Sequence, residues 1–166
     1  MRNTFLSEAG MAPIHAMDMT PVRNVHTTIL KGKTTMNNKS IGTRFERQAC
    51  EYLRQNGWWV HFLSPNQWGA QPFDIIAIRG GKTYALDCKT CKTKTFLLSR
   101  VEDNQFLSFS ALTRDSNAEC GFLISHDDKI YYINFSYINK IINDGGKTIR
   151  LTEEMAEDAG RRFKRN

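Results

Sequence analysis

The amino-acid sequence predicts a mixed α/β domain in which helices flank a central mixed β-sheet. Two pairs of β-favouring runs are each separated by turn residues and predict two hairpins, one around Gly80-Gly81 and one around His126-Asp127-Asp128. Apolar residues at helical spacing follow possible capping residues at Ser40 and Ser99 and predict helices there. With 166 residues, 40% of them hydrophobic, the chain is long enough for one domain with a substantial core.

The first helix is predicted from Ile41 to Asn56, with Ser40 as its cap and Gly57 as its stop. Its apolar stripe consists of Ile41, Phe45, Ala49, Tyr52 and Leu53. Glu46 lies beside this stripe, so its carboxylate is expected at the margin of the buried face. An ordinary ion pair with Arg54 or another surface group is the alternative explanation of this glutamate.

After a strand at WWVHFL, residues 58–63, the stretch FDIIAIRGGKTYALDCKTCK predicts a hairpin whose register follows from its turn. If Gly80 and Gly81 form the loop, Arg79 pairs with Lys82, every cross-strand pair sums to 161, and Asp74 faces Asp87. One face of the hairpin is then apolar and is predicted to lie against the core; it consists of Phe73, Ile75, Ala77, Tyr84, Leu86 and Cys88. The opposite face carries Asp74, Asp87 and Lys89 together.

Two opposed aspartates need an explanation, because like charges on directly paired residues destabilise a sheet. A divalent cation between the two carboxylates would offset the repulsion. Lys89, two residues beyond Asp87 on the same face, could also neutralise part of the charge by itself. On the second explanation the cluster is only an edge strand with a local salt bridge, worth about 0–1 kcal/mol if exposed.

The remaining segments complete an order of one helix, three strands, one helix, two strands and two helices. Ser99 and Glu102 form an S-x-x-E capping box for a helix at about 100–113, and Gln105 is the polar exception on its apolar face. A buried glutamine that only satisfies a neighbouring backbone group is the commoner explanation of that residue. The later elements are predicted at 121–125, 129–135, 136–143 and after Thr152.

The charge of the chain favours an anionic partner, with nucleic acid as the first candidate. The net charge is +6 and the sequence pI is about 9.3. No apolar run approaches the roughly 20 residues of a membrane span, and no secretory signal is recognisable, so a soluble protein of the cytoplasm, of phage or bacterial origin, is expected. The four cysteines are expected to be reduced thiols, and Cys88-x-x-Cys91 lacks a second half for a zinc site.

The chain divides into two predicted regions. Residues 1–35 hold four of the six methionines and two of the four prolines, with little periodicity, and predict a flexible N-terminal arm. Residues 36–166 predict the folded domain.

Several of these residues form a known motif. The combination of Phe45-Glu46, Asp74 two residues after Pro72, and Asp87-Cys88-Lys89 resembles the PD-(D/E)xK nuclease superfamily, whose members have a restriction-endonuclease-like core. The segment KTKTFLLSRVEDNQ, residues 92–105, is similar to the one that follows the catalytic lysine in RecU-type Holliday-junction resolvases. RecU-type enzymes carry a long stalk before the first aspartate, which this chain lacks, so compact archaeal-type resolvases and viral replication-repair nucleases of the superfamily also fit.

The resemblance implies a metal-dependent endonuclease. Asp74 and Asp87 would be the primary ligands of Mg²⁺, for which Mn²⁺ would substitute, and the backbone carbonyl of Cys88 would complete the metal shell. Asp87 stands where many relatives have glutamate, which shortens the reach by one methylene and keeps the charge. Glu46 would approach from the first helix, on a second ion or a water.

The same resemblance gives roles to two further side chains and to the partners. Lys89 would contact the attacking water and the scissile phosphate, and Gln105 would orient water or a metal ligand. The partner would be branched DNA, cut by a two-fold homodimer. Candidate phosphate contacts are Arg44, Lys92, Lys94 and Arg100. The alternatives are a non-catalytic basic module that binds nucleic acid, and a nuclease of the superfamily that acts on non-junction DNA.

Overall fold

The computed structural model describes residues 38–63 and 71–165. The predicted arm, residues 1–35, lies outside this part of the chain. The described helices are α1 (Asn38–Gln55), α2 (Asp103–Asp115), α3 (Phe135–Asn143) and α4 (Glu153–Phe163), with a short 3₁₀ helix at Leu98–Arg100. The described strands are β1 (Trp59–Phe62), β2 (Ile75–Arg79), β3 (Lys82–Thr90), β4 (Thr95–Leu97), β5 (Glu119–His126), β6 (Lys129–Asn134) and β7 (Thr148–Arg150).

Five strands form a mixed sheet in the order β1-β2-β3-β5-β6. The β3–β5 pair is parallel and the other three pairs are antiparallel, because α2 carries the chain from the end of β3 back to the start of β5. Residues of α1 and α4 pack on one face of this sheet, and residues of α2 and α3 pack on the other. The prediction of a central mixed sheet flanked by helices is confirmed.

Turn chemistry sets the register of both hairpins. Gly80 and Gly81 have φ angles of 56° and 76°, and Asp127 and Asp128 have φ angles of 47° and 56°. Two consecutive residues with positive φ form the tight turn that matches the twist of antiparallel strands. The pairs Arg79↔Lys82 and Ile75↔Leu86 confirm the register that the sequence predicts for the first hairpin.

The register changes by one residue at Asp74, as in a β-bulge. The Asp74 N–H donates to the Leu86 carbonyl at 3.0 Å, whereas the register of the hairpin would pair Asp74 with Asp87. The prediction that Phe73 shares the face of Ile75 is therefore wrong. Phe73 instead packs in the cluster on the opposite face, with its ring stacked on that of Phe109 at 5.8 Å.

Helix boundaries differ from the predictions at two N-termini. Helix α1 begins at Asn38, so Ser40 lies in its first turn and is not its N-cap. Helix α2 begins at Asp103, with Glu102 as N-cap and Gln105 at the third helical position, so Ser99 is not the cap. The predicted stop of α1 is confirmed: Gly57 has φ 79°, and its N–H donates to the Arg54 carbonyl at 2.9 Å.

Strands β4 and β7 form a separate two-stranded sheet that the sequence did not predict. Each has only three residues, and the two pair across a sequence separation of about fifty positions, as in Phe96↔Ile149. Local patterning does not reveal such a pairing. None of the described helices is long and apolar enough to cross a membrane.

Substituting alanine at two glycines tests the backbone account. Gly81→Ala should lower the free energy of unfolding by about 1–2 kcal/mol, because Gly81 has φ 76° and a side chain is disfavoured there. Gly160→Ala in α4 should raise the free energy of unfolding by about 0.5–1 kcal/mol, because no heavy atom lies within 4 Å of the added Cβ and alanine is the better helix former. Urea unfolding measures both, and equal effects of the two substitutions would contradict the turn geometry.

Candidate active site

Four elements bring the predicted site residues to one end of the sheet. Asp87 and Lys89 lie on β3, Asp74 directly precedes β2, Glu46 lies on α1 and Gln105 lies in the first turn of α2. Because α1 and α2 pack on opposite faces of the sheet, their side chains reach the end of β3 from two directions.

Asp74 is held by backbone contacts on both sides. Its carbonyl accepts from the Leu63 N–H at 2.8 Å, and its Oδ2 accepts from the Cys88 N–H at 2.7 Å. Burial raises the pKa of Asp74, while the Cys88 N–H and the positive charge of Lys89 oppose the shift. Asp74 and Asp87 also lie close enough for each to shift the pKa of the other. The two carboxylates are therefore neighbours, although their residues are not paired in the strand ladder.

Asp87 is the most deeply buried acid of the site, with 2% of its surface exposed. Its Oδ1 accepts from Gln105 Nε2 at 2.8 Å. Its Oδ2 lies 3.0 Å from Lys89 Nζ, but it is buried without a hydrogen bond of good geometry. Burial and the neighbouring Asp74 raise the pKa of Asp87 to about 7, and Lys89 lowers it by less. The carboxylate is thus only partly compensated by the side chains around it.

Lys89 and Gln105 connect this aspartate to the start of α2. Lys89 Nζ lies 3.8 Å from Glu102 Oε1 as well as 3.0 Å from Asp87 Oδ2. Gln105 Oε1 accepts from the Glu102 N–H at 3.2 Å, so this glutamine serves a backbone group and the Asp87 carboxylate together. The expectation of a buried glutamine that satisfies a backbone group is confirmed, and Gln105 in addition contacts Asp87.

Glu46 lies within electrostatic range of two other predicted site residues, Asp74 and Lys89. Burial raises the pKa of Glu46, Asp74 raises it further, and Lys89 and Arg47 oppose the shift. The alternative ion pair between Glu46 and Arg54 is not formed, and Arg54 instead points its guanidinium at the Val60 carbonyl at 3.5 Å.

The donor atoms of the site fit a hard divalent cation. Within residues 38–63 and 71–165, no group of three or more His, Cys, Asp or Glu side chains is close enough to form a complete metal cage. Mg²⁺ does not require one, because it commonly binds through one or two carboxylates and keeps several waters. Two adjacent carboxylates, one with a buried oxygen that lacks a good hydrogen bond, match that requirement.

Beside the site lies a groove with a volume of about 720 Å³. It is called the basic groove because three cations, Lys89, Lys92 and Arg100, outnumber the two acids, Asp127 and Asp128, among its lining residues. The Arg100 guanidinium is already held by the Thr90 carbonyl at 2.8 Å. Lys94 does not line this groove and lies 3.6 Å from Glu153, and Arg44 is exposed on α1. Only two of the four predicted DNA contacts therefore line the groove itself.

The sequence did not predict that Glu102 belongs to this site. Glu102 was expected only to cap a helix that starts earlier, whereas its carboxylate lies beside Lys89. An acid directly before the helix that carries Gln105 was the available signal. The four cysteines are free thiols, and Cys88 lies on the α1 face, as predicted.

The mixed sheet flanked by helices, with Asp74, Asp87 and Lys89 at the end of β3, fits a nuclease of the PD-(D/E)xK type. Residues 37–156 match the family model of the archaeal Holliday junction resolvases (hjc). The chain therefore belongs to this family of structure-specific endonucleases. The assignment to the RecU type within the superfamily is not confirmed.

A comparison with solved structures agrees on the fold. The chain is similar to Hjc, a Holliday junction resolvase from the archaeal hyperthermophile Archaeoglobus fulgidus, with a TM-score of 0.50 and 22% sequence identity. The similarity covers 70% of this chain and 92% of the other. The restriction-endonuclease-like fold is confirmed. No curated protein sequence matches the chain significantly.

The raised pKa of Asp87 predicts that stability falls with rising pH in the absence of divalent cations. The folded state keeps the Asp87 proton up to a pH of about 7, so the stability from this group is present at about pH 4 and is lost as the pH rises through 7. Asp87→Asn should flatten the decline in the free energy of unfolding, measured with urea in the presence of EDTA. The exposed control Asp103→Asn should leave the decline with pH unchanged. If the free energy of unfolding of Asp87→Asn falls with pH as steeply as that of the wild type, this account is contradicted.

Proposed function

We propose that this protein is a Mg²⁺-dependent endonuclease that cuts Holliday junctions and related branched DNA, with Mn²⁺ as a substitute for Mg²⁺. The proposal rests above all on the proximity of the buried Asp87 and the partly buried Asp74, with a lysine ammonium 3.0 Å from Asp87. Membership of the archaeal resolvase family supports the choice of substrate. All of the residues assigned below lie in the predicted nuclease domain, residues 36–166.

The metal ligands are assigned to the Asp74 and Asp87 carboxylates and the Cys88 carbonyl. Glu46 holds a second ion or a water on the α1 side. Bound Mg²⁺ supplies Lewis-acid stabilisation of the charge that develops on the phosphate and makes water more acidic. The Cys88 N–H keeps Asp74 oriented through the 2.7 Å hydrogen bond, so the backbone of one residue of β3 both orients a carboxylate and supplies the assigned carbonyl ligand.

Lys89 is assigned as the catalytic cation that the chain itself supplies. Its side chain is 14% exposed, so the ammonium lies in a partly dry environment where it stabilises developing negative charge more strongly than in water. Gln105 orients Asp87 by donating to Oδ1, which leaves Oδ2 directed to the Lys89 side of the site.

The basic groove beside Lys89 provides the approach for DNA. Lys92 and Arg100 lie along it, and Arg44 and Lys94 are assigned to phosphates farther from the cut. Two symmetric cuts at a four-way junction require two sites, so the active form is assigned as a homodimer.

A cleavage assay on labelled four-way junctions, linear duplex, flap and single-stranded DNA tests this function. The wild type should cut the junction preferentially and only with Mg²⁺ or Mn²⁺. Lys89→Ala should lower kcat by about 10²–10³-fold, the usual loss when a group that stabilises transition-state charge is removed. Junction affinity in a gel-shift assay should change little, and Lys82→Ala at the far end of β3 serves as the matched control. Normal cleavage by Lys89→Ala would refute this mechanism, and binding without any cleavage by the wild type would favour the non-catalytic module.

A thermal shift assay tests the metal ligands without DNA. Mg²⁺ should raise the Tm of the wild type, because a ligand that binds only the folded state stabilises it by mass action. The shift should disappear in Asp74→Ala and persist in Glu157→Ala, which removes an exposed carboxylate from α4. Equal shifts in all three proteins would count against this site.

A further inference from the structure

A closed ring of four polar contacts joins the start of α2 to the end of β3. The Glu102 N–H donates to Gln105 Oε1 at 3.2 Å, and Gln105 Nε2 donates to Asp87 Oδ1 at 2.8 Å. Asp87 Oδ2 lies 3.0 Å from Lys89 Nζ, which lies 3.8 Å from Glu102 Oε1. Glu102 thus contacts the site twice, through its backbone and through its carboxylate.

Lys89 stands between two carboxylates that differ in their surroundings. The Asp87 side chain is 3% exposed, whereas the Glu102 side chain is 56% exposed. Glu102 therefore keeps much of its hydration and can accept an ammonium ion with little further desolvation. An ammonium has three donors and a flexible stem, so a small movement of Lys89 converts the 3.8 Å approach into a direct contact.

The proposed metal site creates a conflict at Asp87 Oδ2. A Mg²⁺ ion binds carboxylate oxygens at about 2.0–2.1 Å, and the Lys89 ammonium already lies 3.0 Å from the same oxygen. Two cations that share one carboxylate oxygen repel each other, so a cation on Oδ2 favours a displacement of Lys89. The Lys89 side chain is only 14% exposed, so moving its ammonium to a place without an anion is unfavourable.

We propose that Glu102 is a positioning residue, which receives the Lys89 ammonium when Asp87 Oδ2 binds a divalent cation and so keeps this ammonium beside the scissile phosphate. This inference rests on the proposed metal-dependent function. Two other acids within electrostatic range of Lys89, Asp74 and Glu46, are themselves assigned to the metal. Beside Glu102 in the chain, Asn104 donates to the Gln71 carbonyl at 2.7 Å, and Asp103 is exposed in the first turn without a described ion pair to Lys89. Glu102 is held at the right place because its N–H is bound by Gln105.

A double-mutant cycle tests this role through metal binding alone. Calorimetry measures the Mn²⁺ dissociation constant, without DNA, for the wild type, Glu102→Gln, Lys89→Met and the double variant. Glu102→Gln should raise the constant about two- to five-fold, the range expected for a partly exposed ion pair, because Lys89 then competes longer for Asp87. In the Lys89→Met background, Glu102→Gln should change the Mn²⁺ dissociation constant by less than about 1.5-fold.

Controls separate positioning from a general loss of charge and from damage to the helix cap. Asp103→Asn removes one negative charge from the adjacent position and should have no lysine-dependent effect. Glu102→Asn keeps a preferred N-cap residue while it removes the charge, so it should reproduce the effect of Glu102→Gln. The Mg²⁺ concentration for half-maximal junction cleavage should rise in the same proportion in both variants.

The outcomes distinguish this inference from the proposed function. An equal effect of Glu102→Gln with and without Lys89, or no effect at all, in a protein that binds Mn²⁺ and cuts junctions would overturn the positioning role alone. A lysine-dependent effect in a protein that never cuts DNA would overturn the nuclease function alone. A wild type that binds no Mn²⁺ would overturn both.

Discussion

The proximity of Asp74 and Asp87 is the constraint on which the rest of the site depends. Burial raises the pKa of both carboxyl groups, and the charge of Asp74 raises the pKa of the almost fully buried Asp87 further. Lys89 and Gln105 compensate only part of this cost, because one oxygen of Asp87 has no good hydrogen bond. An arrangement that is unfavourable by itself is typical of a site organised for a ligand.

The strands position these acids with little freedom. The tight turn at Gly80-Gly81 sets the pairing of β2 with β3, and the one-residue offset at Asp74 then turns its carboxylate onto the Cys88 N–H. Hydrogen bonds from the Asp74 backbone to Leu63 and Leu86 attach this residue to both neighbouring strands. The acids are therefore fixed by the central sheet.

The helices contribute the groups that modulate this rigid pair. Helix α1 brings Glu46 from one face of the sheet, and α2 brings Gln105 and Glu102 from the other. The N-terminus of α2 is held beside the site by Gln105, which accepts from the N–H of the N-cap residue Glu102 and donates to Asp87. A capping interaction and the geometry of the active site thus share one side chain, which ties helix formation to the organisation of the site.

The sequence by itself determined the features that depend on neighbouring residues: the hairpin at Gly80-Gly81, the apolar face of α1, and the placement of Asp87 and Lys89 on one side of β3. Turn residues and side-chain alternation are local, so they can be read along the chain. Only the tertiary structure decided the side of Phe73, the pairing of β4 with β7 and the approach of Glu102 to Lys89. Those features depend on contacts between distant segments, because the energy that selects them comes from packing and not from local conformational preference.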